Sequence, residues 1–210
     1  MTSMRSRPEK ERIDVRESCV AEALRIIGEQ GIESLSLREV ARRLGVSHQA
    51  PYKHFPGRDH ILAEVIGRAF DDFAQTLNRA VDSLDPQEHL AAVGTAYLDY
   101  AARRPLQYHL MFGSPLPDLN QHPELAAKAA VAFEIVKDAV RASKPGADER
   151  ELMQEALFAW ATVHGLASIT QTGSFSALGI HDPAMMEEAS RYAMGNICRA
   201  INGPKPRFRR

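Results

Sequence analysis

Between residues 34 and 59 the apolar positions follow a helical period. Leu37, Val40, Ala41 and Leu44 recur at i, i+3, i+4 and i+7 and leave Arg38, Arg42 and Arg43 largely outside the buried stripe. Ser36 stands three residues before Glu39, the spacing at which a hydroxyl and a carboxylate satisfy the free amides of a helix start, and Leu35 and Val40 suit a hydrophobic staple around that cap. Gly45 falls where a helix ends in a left-handed residue. Ser47 then caps a second helix whose first turn exposes His48, Gln49 and the edge of Ala50. Pro51 removes one backbone hydrogen bond there, which predicts a short, stiff helix.

From Asp59 the pattern reads as helix after helix, with no run alternating at strand period, so the body is expected to be all-α. A long helix carries Ile61, Leu62, Val65, Ile66, Ala69, Phe70, Phe73 and Leu77. Asp85, Pro86 and Glu88 open the next, which runs to about Arg103-Arg104. Pro105 opens a short segment through Phe112 that stops at Gly113. Further helices are expected over 123–142, 149–172 and 183–201; His122-Pro123 and Asp182-Pro183 mark two starts, and Gly146 and Gly173 sit near boundaries. No internal repeat or low-complexity segment is visible.

Two short helices around a glycine turn, with polar and basic groups on the outer face of the second, form a device for reading DNA. Gln pairs bidentately with adenine, His hydrogen-bonds purine edges and Ala offers an apolar contact for a thymine methyl when a helix enters the major groove. Tyr52 and Lys53 suit phosphates. Charge distribution agrees: residues 1–58 hold 11 Lys+Arg against 8 Asp+Glu, whereas residues 59–210 hold 15 against 19. A basic head on a slightly acidic body confines the electrostatic footprint to one end.

Hydrophobic residues make up 44% of the 210, enough for a substantial core. No apolar run reaches membrane-spanning length and the N-terminus is charged, so a cytoplasmic protein with no membrane partner is expected. Cys19 and Cys198 lie far apart in helical patterns and read as buried free thiols. The expected organisation is a flexible arm over 1–11, a three-helix helix-turn-helix DNA-binding domain over 12–58, an effector-binding and dimerisation domain over 59–203, and a basic tail over 204–210, about nine helices in all.

From about Val15 to Leu62 the chain resembles the TetR family of bacterial transcription regulators. The resemblance rests on a helix ending at Gly31, the Ser-x-Arg-x-Val-Ala-like second helix, and Tyr52-x-His54-Phe55 followed by the basic Arg58. It implies that Tyr52 and Lys53 hold the DNA backbone, that Phe55 packs inside, and that Arg58 adds a phosphate contact. His48 and Gln49 fall in the stretch that family members vary to choose operators. The DNA-facing set is then Ser36, Arg38, Arg42, Ser47, His48, Gln49, Ala50, Tyr52, Lys53, His54 and Arg58, and the DNA partner is a palindromic operator. Trp160-Ala161-Thr162-Val163-His164-Gly165 resembles the Trp-x-x-x-His-Gly signature of one subgroup's C-terminal domain. Helical spacing stacks Trp160 and His164 on one face. Core filling by Trp160 and one internal hydrogen bond from His164 is favoured over ligand contact.

The resemblance also implies a small-molecule effector pocket, its occupancy changing the separation of two DNA heads. Candidate lining residues are Phe70, Phe73, Tyr97, Tyr100, Tyr108, Met111, Phe112, Phe133, Trp160 and His164, which suit an apolar or aromatic ligand. A homodimer through the last two long helices is expected, with Leu152, Ala156, Ala159, Val163, Leu166 and Ala167, then Met185, Met186, Ala189, Tyr192, Ala193, Ile197 and Ile201 as contact candidates. No catalytic residue, metal or cofactor is assigned. The alternative is a helical metal sensor or all-α enzyme using His109, His122, His164 and His181, but these histidines show no paired i, i+3 or i+4 spacing.

Overall fold

The computed structural model describes residues 14–82, 84–113, 115–171, 179 and 182–203. The arm over 1–11, the tail over 204–210, Gly173 and His181 lie outside the described residues. Those described form eight α-helices and three 3-10 turns, with no strand: α1 Val15–Gln30, a 3-10 turn Ile32–Ser34, α2 Leu37–Leu44, a 3-10 turn Pro51–Lys53, α3 Arg58–Ala80, a 3-10 turn Pro86–Glu88, α4 His89–Arg103, α5 Pro105–Phe112, α6 Pro123–Ser143, α7 Glu149–Gln171 and α8 Pro183–Asn202. Two compact units result, Met1–Val65 and Ile66–Arg210, with α3 running across the boundary.

Local chemistry sets most helix ends. The Asp14 carboxylate accepts from the amides of Arg16 and Glu17 at the start of α1. Ser36 Oγ accepts from the Glu39 amide at 3.1 Å, one half of the expected capping box. The other half is absent, because the Glu39 carboxylate is turned to Arg42 and Arg43 instead. At the far end of α2, Gly45 sits at φ +66°; its amide donates to the Arg42 carbonyl and the Val46 amide donates back to Ala41. This doubly closed left-handed end forces the chain to turn. Asp85 and Asp182 cap the next expected starts through the amides of Gln87 and Ala184.

The helix expected after Ser47 takes a different form. Its carbonyl accepts from the Ala50 amide, and the Lys53 and His54 amides reach back three residues to Ala50 and Pro51. The result is a turn followed by a 3-10 turn without a side-chain cap. Pro51 has no N–H to offer Ser47, so the shorter i→i+3 pattern prevails. Pro51 and Phe55 are both buried, which fixes which side of the turn faces inward.

In the first unit, Cys19, Ala23, Ile26, Leu35, Val40, Ala41, Phe55, Ile61 and Leu62 form the core. In the second, α4 packs against α5, α6, α7 and α8. Its buried side chains include Phe73 and Leu77 from α3, Tyr97 and Tyr100 from α4, and Ile197 and Ile201 from α8. Cys198 is only half-buried, unlike Cys19, and burial pushes both thiols above their ordinary range.

Candidate nucleic-acid interface and effector site

The outer face of the turn region is polar. Ser36, Arg38, Arg42, Ser47, His48, Gln49, Tyr52, Lys53 and His54 are all exposed, and Ala50 is half-buried. The 3-10 turn explains this grouping: with Pro51 and Phe55 directed inward, His48, Gln49, Tyr52 and Lys53 are left on the solvent side. Tyr52 is 49% exposed, high for a large ring on an ordered element and consistent with a surface made for contact.

Behind this face lies a charge clamp that sequence spacing did not foresee. Glu39 holds Arg42 through two bonds of 2.7 Å and Arg43 at 3.0 Å. Hydrogen bonds from Arg42, then Arg43, draw the Glu39 carboxyl down to about 2. Arg43 was expected on the outside; its side chain is only 10% exposed, with Glu29 at 2.5 Å and Glu22 at 3.5 Å. Glu22 in turn accepts from Arg25. The clamp therefore ties α2 to α1 and fixes the pitch at which the turn is presented. Arg58 also holds the head together: its Nε donates to the Leu35 carbonyl at 3.1 Å and its NH2 group to the Ile32 carbonyl at 2.8 Å. Arg16 packs over the Phe55 ring, its guanidinium 5.5 Å from the centroid, and pairs with Glu64 at 2.8 Å.

In the second unit the ring-bearing candidates converge. Phe73 meets Tyr97 and Tyr100 at centroid distances of 4.9 and 5.0 Å, Phe70 meets Phe112 at 5.7 Å, and Tyr97 meets Trp160 at 5.4 Å. Phe133 joins through Trp160, and Phe112 lies 5.1 Å from His164. Edge-to-face pairs dominate, the arrangement ring quadrupoles favour. His164 anchors this cluster with more than the single expected hydrogen bond. Tyr97 Oη and Tyr108 Oη each stand 2.9 Å from its Nδ1, and Ser168 Oγ stands 3.4 Å from its Nε2. Burial lowers the imidazole below its ordinary value and raises the Tyr97, Tyr100 and Tyr108 phenols, which favours the neutral form of every member.

Not all ten candidates border open space. Phe73, Tyr97, Tyr100 and Met111 are packed core, and the crevice beside Tyr97 and Trp160 holds only about 10 Å³. Tyr108 and Phe112 do line a recess of about 430 Å³, together with His109, Gly113, Ser168 and Gln171. Ser168 escaped the sequence reading although it lies one turn beyond His164, a spacing that places it on the same helix face. A second, larger groove of about 730 Å³ runs between α4, α7 and α8 and includes Asp99, Glu187, Arg191 and Cys198 in its walls; none of the clustered rings borders it.

The dimer candidates divide in a way periodicity did not show. Leu152, Ala156, Ala159, Val163 and Ala167 are buried within the protomer, as are Ile197 and Ile201. Exposed apolar side chains on the same two helices are Met153, Leu157, Phe158 and Ile169 on α7, none of them expected, and the expected contacts Met185 and Tyr192 on α8. Among the described residues no helix is long and apolar enough to cross a membrane.

Comparison with known proteins follows these two units. Residues 20–65 match the model described as bacterial regulatory proteins, tetR family, and residues 90–193 match the Tetracyclin repressor-like, C-terminal domain. The HTH-type transcriptional regulator Mb1846 of Mycobacterium bovis is 26% identical over 192 residues, covering 77% of this chain and 82% of that protein. The HTH-type transcriptional activator FasR of Mycolicibacterium smegmatis is 28% identical over 56% of this chain and 53% of its own length. Among solved structures, a protein of unknown function from Rhodococcus sp. RHA1 superposes with a TM-score of 0.74 at 26% identity, covering 92% of this chain and 98% of that one.

Proposed function

The chain belongs to the TetR family of DNA-binding transcriptional regulators, and from that premise we propose a homodimeric repressor that leaves a palindromic operator when a small molecule occupies its second unit. The observation that carries this reading is the exposed His48, Gln49, Tyr52 and Lys53 surface held over buried Pro51 and Phe55. His48, Gln49 and Ala50 read base edges in the major groove. Tyr52 and Lys53 grip phosphates, and Ser36, Arg38, Ser47 and His54 flank them. Arg42 reaches phosphate by exchanging Glu39 for the DNA backbone, a swap of one charge-assisted partner for another. Arg58 contributes first by holding the head rigid and only secondarily through its remaining guanidinium edge.

Dimerisation supplies the second half-site. Met153, Leu157 and Phe158 on α7 and Met185 and Tyr192 on α8 are the exposed apolar side chains a partner copy would cover. The aromatic body with His164 at its centre is the effector-responsive part. An effector acts there only by binding the DNA-incompetent arrangement more tightly than the competent one.

Selection of bound DNA from a random pool with the purified chain tests the reading. Enrichment of a two-fold-symmetric site with half-sites about one helical turn apart supports it. Binding that follows salt alone, without sequence preference, refutes it. Because one relative bears the name of an activator, the sign of regulation is read separately: a reporter behind the selected site falls when the chain is expressed if it is a repressor, and rises if it is an activator.

A further inference from the structure

The recess of about 430 Å³ at the edge of the ring cluster falls in the size range of small-molecule sites, about 300–1,000 Å³. Its walls have a distinct chemistry. Tyr108 and Phe112 supply ring faces, while the polar atoms come from Tyr108, Ser168, Gln171 and the exposed His109 at the rim. Among the described residues that line it, none is a Lys, Arg, Asp or Glu. A charged ligand group settled among them would lose water without gaining a fixed counter-charge, which is costly.

Hydrogen-bond arithmetic at His164 says which lining atoms are available. A neutral imidazole with its proton on Nε2 presents one acceptor lone pair, at Nδ1, and donates from Nε2 toward Ser168 Oγ. Two phenols compete for that single lone pair, each 2.9 Å away. Tyr97 and Tyr108 are both buried, but only Tyr108 borders the recess, so Tyr97 has the stronger claim on that lone pair. The Tyr108 hydroxyl then turns to the neighbouring Tyr97 oxygen, to the His164 carbonyl at 3.5 Å or to Ser168 Oγ at 3.4 Å, and a ligand oxygen has to displace one of these partners. Ser168, already receiving from His164, has its own proton left to give. The two hydroxyls stand 3.4 Å apart on residues that both line the recess, close enough to converge on one acceptor.

We propose that this recess seats the effector, and that the ligand is an uncharged, largely apolar or aromatic molecule bound through one carbonyl-type oxygen that accepts from Tyr108 and Ser168. The assignment rests on the effector reading given above. A carbonyl oxygen has two lone pairs to receive the two hydroxyls, and an uncharged body makes no demand for a cation, which the described lining residues do not supply. Phe112 and the Tyr108 ring, 5.0 Å apart between centroids and tilted 56° to each other, provide the apolar contact. Ligation at Tyr108 is felt at His164 and Tyr97, and through the Tyr97–Phe73 contact at α3, the helix that continues into the first unit.

The test is a calorimetric titration of the full chain with a matched pair of probes, 2-acetylnaphthalene and 2-naphthoate, which differ chiefly in the charge at the oxygen end. Trp160, the sole tryptophan and 5.9 Å from Phe112, gives a second readout through its emission. The ketone is expected to bind at least about tenfold more tightly than the carboxylate. Tyr108→Phe keeps the ring and is expected to weaken the ketone by about three- to tenfold, with Ser168→Ala acting in the same direction. Thermal unfolding of each variant confirms that it is folded. Equal or tighter binding of 2-naphthoate, no binding of either probe, or unchanged ketone affinity in folded Tyr108→Phe would overturn the proposal. Operator binding is followed in the same samples: ketone binding that leaves it unchanged would count against the effector reading and not against the ligand chemistry of the recess.

Discussion

His164 shows how one side chain organises a neighbourhood. Two phenols, a serine hydroxyl and the Phe112 ring meet around it, and burial holds the imidazole below its ordinary value of 6.5. The pH consequence has a definite sign. The unfolded chain takes up the proton first as pH falls, so the stability tied to the neutral ring is complete above about 6.5 and is lost as pH drops toward the lower folded value. Thermal unfolding followed by Trp160 emission should show a steeper fall in Tm from about pH 7 to pH 5 in the wild type than in His164→Asn; identical slopes would remove His164 as the titrating group. Sequence spacing brought His164 and Trp160 to one face of a helix. Tyr97 and Tyr108 were expected near it only as pocket lining; their hydrogen bonds to its ring span 67 and 56 residues, beyond what spacing shows.

Single elements were legible where their ends are closed by neighbours in sequence. Ser36 before α2, Gly45 after it, and the aspartates at 85 and 182 all act within a few residues of themselves, so the pattern that predicts them is the structure that results. The recognition segment departed because one missing N–H, at Pro51, outweighed helical periodicity. Arg58 is the clearest case of a role beyond sequence reach: a basic residue opening α3 suggests a phosphate contact, yet its donors go to carbonyls 23 and 26 residues earlier. Removing it should therefore matter without DNA. Arg58→Met is expected to lower the stability of the head by about 1–3 kcal/mol, seen as an earlier unfolding transition in the free protein. A variant with unchanged Tm and weakened DNA affinity would return Arg58 to the phosphate role alone.

At the scale of the whole molecule, all-α architecture, the DNA-reading head and the family were legible from the chain, because a helix-turn-helix concentrates its signal in about two dozen consecutive residues. The partition of apolar stripes between core and partner was not. Periodicity marks a face as apolar without saying what covers it, and the α7 stripe chosen for dimerisation turned out to face the protomer's own core. Tyr192, already among the expected contacts, is 71% exposed, and Leu157, 52% exposed, joins it from a face of α7 that the pattern passed over. Leu157→Glu with Tyr192→Glu should leave the helical content unchanged while shifting the chain to a monomer in sedimentation velocity; a dimer that survives both would place the interface elsewhere.

Base reading by the turn at 48–50 is the centre of the account, and repeating the random-pool selection with Gln49→Ala beside Lys53→Ala tests it most directly. Gln49→Ala should retain the two-fold spacing and lose preference at one position in each half-site. Lys53→Ala should weaken all sequences alike and lower the salt slope by about 1. A Gln49→Ala chain that enriches the wild-type sequence unchanged would contradict the account.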